Sequence, residues 1–289
     1  MGAWGTSLYS NDPACDVRSD YIDMLRHGKS NEEATQELVE KYSDIIGDVD
    51  EEPLFWFALA DTQWNYGRLL PEVREKALYF LSLDNEIQRW QESGQKQINS
   101  WRRTLNILKE KLESPQPAEK KVAKYRLYQC KWQLGDVFAY QFSSHYSKDK
   151  GFYGKYTVFR KISEDTWWPG HIVPVVQVYN WIDSCLPSID TLSSLDLLPA
   201  FCPPSILFKF PNKKIDYEIK LISESEKSIP KQNLTFIGNL PGNDLIQFRG
   251  NEYWTGYNPV GWESSKYNEK FEHYVIDAYL AWYNANCNN

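Results

Sequence analysis

The stretch KWQLGDVFAYQF, residues 131–142, is where the hydrophobic pattern of this chain changes. Beyond Tyr125 the apolar residues follow a period of two, which is typical of strands. The period appears at Trp132 and Leu134 and, after a Gly-Asp turn, at Val137 and Ala139. Six short segments rich in β-branched and aromatic residues follow: GKYTVFRKI (154–162), IVPVVQVYNWI (172–182), SILFKF (205–210), YEIKLI (217–222), NLTFIGNL (233–240) and DLIQFRG (244–250). We therefore expect a mostly antiparallel sheet, arranged as a sandwich or a small barrel.

The residues before this stretch have a helical pattern. Asn11 or Asp12 can cap a first helix, and Ser30 with Glu33 forms a capping box for a second. The segment EEPLFWFALADTQWNYGRL (51–69) is apolar nearly all round, which predicts a central, buried helix. Together these signals predict a compact helical bundle.

The domain prediction follows from these two patterns. Residues 1–115 are expected to form an acidic helical domain, and SPQPAEKK (114–121) a linker, because two prolines and a charge cluster interrupt the helix. Residues 122–289 are expected to form a β-rich domain, with a C-terminal helix over KYNEKFEHYVIDAYLAWY (266–283) packed on the sheet. The predicted fold class is α+β.

Composition and charge limit the function classes. The 289-residue chain has a net charge of −7, which argues against nucleic-acid binding, and no run of apolar residues is long enough to span a membrane. Residues 1–115 hold 13 Lys+Arg and 21 Asp+Glu, a balance of −8; the remaining residues hold 19 and 18, a balance of +1. The five cysteines are scattered and odd in number, which indicates reduced thiols and a cytoplasmic protein.

The sequence contains no local catalytic motif. None of the four histidines lies at metal-ligand spacing from another, and we predict no catalytic residue, metal or cofactor. A Cys202–His171 pair formed by the fold, or a metal site built from scattered carboxylates in a hydrolase or nuclease, needs no local motif and remains an alternative.

Two stretches are candidate partner-binding sites. Trp167 and Trp168 are adjacent on an expected strand and therefore point to opposite faces, with His171 beyond a Pro-Gly turn. The functional interpretation is an aromatic recognition surface; the structural one is a core residue beside one covered by the terminal helix. The acidic stretch that comprises Asp48, Asp50, Glu51 and Glu52 can either bind a basic partner or simply stabilise the following helix N-terminus.

The N-terminal sequence MGAWGTS contains a tryptophan where chain ends usually fray. The Gly-Ala-Trp-Gly start, followed by Asn11-Asp12 and a helix, resembles the bacterial domain of unknown function family 4259. The resemblance implies that Trp4 is packed, with Gly2 and Gly5 letting the backbone lie close to the helices. We expect Trp4→Ala to cost about 3–5 kcal/mol of stability.

The stretch 131–142, with the Gly-Tyr/Phe-Gly-type turn at Phe152–Gly154, resembles the start of bacterial immunity protein family 26. That resemblance implies a protein that neutralises a bacterial toxin. Together with the missing catalytic motif, the aromatic excess and the acidic first half, it leads us to expect a non-catalytic protein that covers a basic or catalytic surface of a toxin domain. Two alternatives remain: the hydrolase or nuclease above, and a subunit of a phage-defence or other larger assembly.

Overall fold

The computed structural model describes residues 5–83, 90, 93–192, 194–201, 215–216, 218–240 and 258–287. The chain forms two compact units, Met1–Tyr125 and Arg126–Asn289. Helices and strands are both present, which confirms the α+β class. The expected strands at 205–210 and 244–250, and the positions Gly2, Trp4 and Cys202, lie outside the described residues.

Five helices form the described core of the first unit, and their bounds are α1 Asp12–Arg26, α2 Asn31–Lys41, α3 Glu52–Asn65, α4 Pro71–Ser82 and α5 Gln95–Glu113. Asn11 caps α1 by accepting a hydrogen bond from Ala14 N at 2.9 Å, so the expected cap is Asn11 and Asp12 is the first helical residue. The predicted capping box of Ser30 and Glu33 is confirmed.

The helix α3 is central, as its composition predicts. Every residue from Pro53 to Gln63 is buried, because α1, α4 and α5 all pack against it. The apolar side of α5, at Trp101, Leu105, Leu108 and Leu112, closes the same core.

Residues 114–121, which were expected to be a linker, have no regular secondary structure but belong to the first unit and pack against its helices. Lys120 N donates to Tyr66 O at 2.9 Å, and Leu69 N donates to Gln116 Oε1 at 2.8 Å. Gly67 permits this approach: its φ is +67°, and a Cβ there would lie 2.5 Å from Pro117 O.

The second unit contains the remaining elements: β1 Asp136–Gln141, α6 His145–Asp149, β2 Tyr156–Trp167, β3 His171–Asp183, α7 Ile189–Leu192, β4 Ala200–Phe201, β5 Ile215–Asp216, β6 Ile219–Ile222, β7 Leu234–Asn239, β8 Asn258–Gly261 and α8 Phe271–Cys287. Six strands form one sheet in the order β7-β1-β2-β3-β6-β8, and β4 pairs with β5. All pairs are antiparallel except β6–β8. The expected sandwich or small barrel is not confirmed, since the described strands form an open sheet.

Both faces of the sheet are covered by apolar residues. The helix α8 packs over one face with Phe271, Val275 and Ile276, as the sequence predicts for a terminal helix. On the other face, Val137, Ala139 and Val158 pack with Leu192 and Leu197 from the α7 region. Alternating residues of β1 and β2 serve the two layers, which fixes the register of the sheet.

Candidate functional site

The candidate site is the turn of the long β2–β3 hairpin. Its register runs from Tyr156 opposite Asp183 to Trp167 opposite His171. The strand β1 pairs only with the part of β2 before Lys161, and β6 pairs only with Val175 and Val176 of β3. The part of the hairpin nearest the turn therefore has no neighbouring strand in the described residues, apart from a bridge between Gln129 and Ile172.

The turn Trp168–Pro169–Gly170 presents an indole at the surface. Trp168 is 71% exposed. Gly170 has a φ of +132°, and its N–H donates to Trp167 O at 2.8 Å, which closes the turn. An exposed tryptophan is a candidate anchor for a partner, because tryptophan is enriched among the residues that dominate the energetics of protein interfaces.

Trp167, the residue before the turn, packs against the rest of the second unit. It is half-buried, with the Lys220 ammonium 5.5 Å from its ring centroid and the Tyr267 ring edge-on at 5.5 Å. Lys220 also forms an ion pair with Asp165 of β2. The two adjacent tryptophans thus differ in exposure: Trp167 is half-buried between Lys220 and Tyr267, and Trp168 is mostly exposed.

His171 lies behind the tip and is buried. Its Nδ1 accepts a hydrogen bond from Tyr128 N at 2.8 Å, so the neutral ring carries its proton on Nε2. Burial lowers the pKa of His171 and so favours the same neutral form, while the nearby Glu224 carboxylate acts in the opposite direction. The histidine is therefore a positioning group for the hairpin and offers no surface to a partner, unlike the expectation for a contact residue.

The predicted acidic surface lies in the first unit, at the start of α3. Asp48 Oδ1 accepts from Asp50 N at 2.8 Å and from Glu51 N at 3.0 Å. Glu52 accepts from Trp56 Nε1 at 2.9 Å and from Gly47 N at 3.0 Å. Asp48 and Glu52 thus stabilise the turn and the helix start, as the structural interpretation holds, while the Asp50 side chain is exposed.

Gly5 is the first glycine of the N-terminal motif in the described residues. It is half-buried, and a Cβ there would lie 3.0 Å from Ser10 Oγ. The expectation that Trp4 is packed falls on residues outside the described part and stays a prediction, as does the effect of Trp4→Ala.

Among the described residues of the second unit, Glu272 at the start of α8 is a carboxylate that accepts four hydrogen bonds. It is fully buried and accepts from Tyr140 Oη at 2.9 Å, Ser143 N at 2.9 Å, Ser144 N at 3.1 Å and Ser144 Oγ at 2.5 Å. Glu263 Oε1 in turn accepts from Glu272 N at 2.9 Å, and burial raises the pKa of Glu263. These oxygens are occupied by donors of the chain itself.

Across the described ranges, no group of three or more His, Cys, Asp and Glu side chains is arranged to hold a metal ion. In the same residues, no helix has the length and apolar character needed to cross a bilayer. Cys15, Cys130 and Cys185 are free thiols.

Comparison with known proteins gives no relative: no family model matches the chain, and neither the curated proteins nor the solved structures contain a significant match. Both family resemblances therefore stay predictions.

Proposed function

We propose that this chain is a non-catalytic binding protein of the immunity or antitoxin kind, which covers the surface of a toxin through the tip of the β2–β3 hairpin. The observation that carries the proposal is the exposure of the Trp168 side chain, which is 71%. It lies on a turn whose neighbouring residues are packed: Trp167 contacts Tyr267, and His171 accepts a hydrogen bond from Tyr128 N.

The energetics of protein interfaces support this choice of site. Tryptophan is enriched among the few interface residues whose truncation weakens binding by about 2 kcal/mol or more. An anchor that is already ordered before binding loses little conformational entropy on contact. Two contacts of Lys220 order the strand that leads into the turn: its ion pair with Asp165 and its cation–π contact with the Trp167 ring.

The acidic character of the first unit supports a basic partner. Its residues, 1–125, hold 16 Lys+Arg and 22 Asp+Glu, a balance of −6, which raises the encounter rate with a positively charged surface more than it strengthens the final complex. The exposed Asp50 contributes to that field. Free thiols are typical of the cytoplasm, which is the compartment we propose for this interaction.

The test is a toxicity and rescue experiment. Each gene adjacent to the one for this chain is expressed in a bacterial host, alone and with the chain, and growth is recorded. We expect one neighbour to be toxic and the parent chain to restore growth. In binding measurements with that toxic domain, Trp168→Ala should raise the dissociation constant about 30-fold, which corresponds to about 2 kcal/mol.

Tyr153→Ala is the matched control, because Tyr153 is another large aromatic residue of the second unit, 60% exposed. It should bind and rescue like the parent. The proposal fails if no neighbouring product is toxic, if the chain does not restore growth, or if Trp168→Ala binds as tightly as the control.

A further inference from the structure

A short segment of the chain lies along the edge of β3 beside the hairpin turn. Ile172 N donates to Tyr128 O at 2.9 Å, and Cys130 N donates to Ile172 O at 2.9 Å. These bonds form the bridge between Gln129 and Ile172. Residues Tyr128–Cys130 are the edge segment. It gives β3 a neighbour next to the turn, at a position that the pairing with β6 does not reach.

The edge segment is held by fewer backbone bonds than the strands of the sheet. Between residues 121 and 133, the bridge at Gln129 is the only element of secondary structure. The side chains of Tyr128 and Cys130 are buried and pack with Val173, whereas Gln129 is exposed. An element with so few backbone hydrogen bonds opens at a lower free energy than the core of a fold.

A third bond to the edge segment depends on the protonation state of His171. The Nδ1 atom of His171 accepts from Tyr128 N at 2.8 Å, and the residue is 7% exposed. A backbone N–H can only donate, so this bond exists only while Nδ1 carries no proton. Protonation of Nδ1 would place two N–H groups against each other and leave the Tyr128 N–H without its acceptor in a buried site.

Two opposing effects act on the charge of His171. Burial lowers the pKa of the imidazole, and the Glu224 carboxylate, in the loop after β6, raises it. Burial is the larger effect, so the neutral ring and the bound edge segment are the stable combination at neutral pH.

The other groups around His171 leave this balance unchanged. Tyr128 and Cys130 stay neutral, because burial raises the pKa of both side chains. Trp167, opposite His171 on β2, is uncharged. Asp165 of β2 lies on the same face of the hairpin and forms an ion pair with Lys220 of β6.

We propose that the edge segment is a pH-sensitive support of the hairpin tip, bound to β3 while His171 is neutral and released when His171 takes up a proton. Release removes the backbone partner of Ile172, so the end of the hairpin that carries Trp168 loses order. A partner that binds Trp168 is then bound more weakly in acid. This last step rests on the function proposed above, whereas the release of the segment does not.

The size of the effect follows from linkage between protonation and release. In the released form His171 is solvated and titrates with the ordinary histidine pKa of about 6.5. In the bound form burial lowers the pKa, so the released form takes up the proton first and acid favours release. The equilibrium constant for release should rise several-fold between about pH 7.5 and about pH 5.5, with a ceiling of about 10-fold.

Hydrogen exchange of the full chain, resolved at single amides, tests the release directly. Rates are divided by the intrinsic exchange rate at each pH, which gives the opening equilibrium. The Tyr128 and Cys130 amides should lose protection several-fold between about pH 7.5 and about pH 5.5. Low concentrations of urea should leave their exchange unchanged, because a local opening exposes little surface. Exchange at Ala139, which lies between β2 and β7 in the sheet, requires unfolding and should accelerate.

Two variants of His171 separate the acceptor from its titration. In His171→Asn the side-chain oxygen can accept from Tyr128 N and does not titrate, so the Tyr128 amide should keep its protection at both pH values. In His171→Ala the acceptor is lost, and protection at about pH 7.5 should be no higher than that of the parent at about pH 5.5. His145→Asn is the matched control, because His145 is an exposed histidine of the same unit, and it should show the pH dependence of the parent.

The effect on the hairpin tip is measured with the toxic domain identified in the rescue experiment. The dissociation constant of the parent should rise several-fold between about pH 7.5 and about pH 5.5, and its ratio to that of His171→Asn removes any titration of the partner itself. The proposal is overturned if corrected protection at Tyr128 is the same at both pH values, if His171→Asn loses protection in acid as the parent does, or if both chains show the same pH dependence of binding. If no neighbouring product is toxic, the proposed function fails, while the exchange measurement still decides whether the segment is released.

Discussion

Removing the Glu272 carboxylate should destabilise the second unit selectively. In Glu272→Ala, the buried Tyr140 hydroxyl and the N–H groups of Ser143 and Ser144 lose their acceptor. A buried donor left unpaired costs about 1–3 kcal/mol, and each partly exposed N–H, which water can reach, costs about 0.5–1.5 kcal/mol. We expect a total loss of about 4 kcal/mol in the free energy of unfolding.

The conservative variant separates the carboxylate from its volume. Glu272→Gln keeps one oxygen, which can still accept from Tyr140 and Ser143, but places an amide N–H₂ against the donors of Ser144. Its expected cost is about 1–2 kcal/mol. Glu269→Ala is the matched control, because that side chain is exposed, and it should change stability by no more than about 0.5 kcal/mol.

Urea titration of the full chain measures these values. Far-UV circular dichroism follows the helices, which are mostly in the first unit, and tryptophan fluorescence includes Trp262, which is stacked on Tyr140 at 6.0 Å. Two transitions are expected if the units unfold separately, and only one should move in Glu272→Ala. A loss of less than about 1 kcal/mol in the free energy of unfolding would refute the argument that this carboxylate stabilises the contact of Ser143 and Ser144 with α8.

Three further outcomes are expected. Lys111→Met should cost about 3 kcal/mol in thermal unfolding, because the Asp61 carboxylate, 2.5 Å from the ammonium and 8% exposed, loses its counter-charge and keeps only the hydrogen bonds from Tyr9 Oη and Asn65 Nδ2. Lys111→Met combined with Asp61→Asn removes the buried charge and should recover part of the loss. The free energy of unfolding should fall as the pH decreases below about 6.5, because burial lowers the pKa of His171 in the folded chain and the unfolded chain takes up the proton first. In His171→Asn the side-chain oxygen can still accept from Tyr128 N, and the dependence of the urea midpoint on pH, measured from about pH 5 to about pH 7.5, should be flatter. Asn11→Ala should lower the melting temperature through a loss of about 1 kcal/mol, since the cap of α1 is removed, and an unchanged melting temperature would contradict that role.

Local patterns were sufficient to predict much of the secondary structure. The Ser30–Glu33 capping box, the buried α3 and the apolar face of α8 each depend on spacings within a few turns of helix. The alternation in β1 depends likewise on neighbouring residues. Such features are written in short segments, because helix and strand periods place side chains on one face without reference to the rest of the chain.

The connections that position the candidate site are not local. Tyr128 and His171 are 43 residues apart, and Tyr140 and Glu272 are 132 apart. No spacing rule relates such residues, since the fold alone brings them together. The sequence therefore marked Trp167 and Trp168 as unusual but did not distinguish the packed indole from the exposed one, and it grouped His171 with them as a candidate contact residue, although the fold buries that side chain.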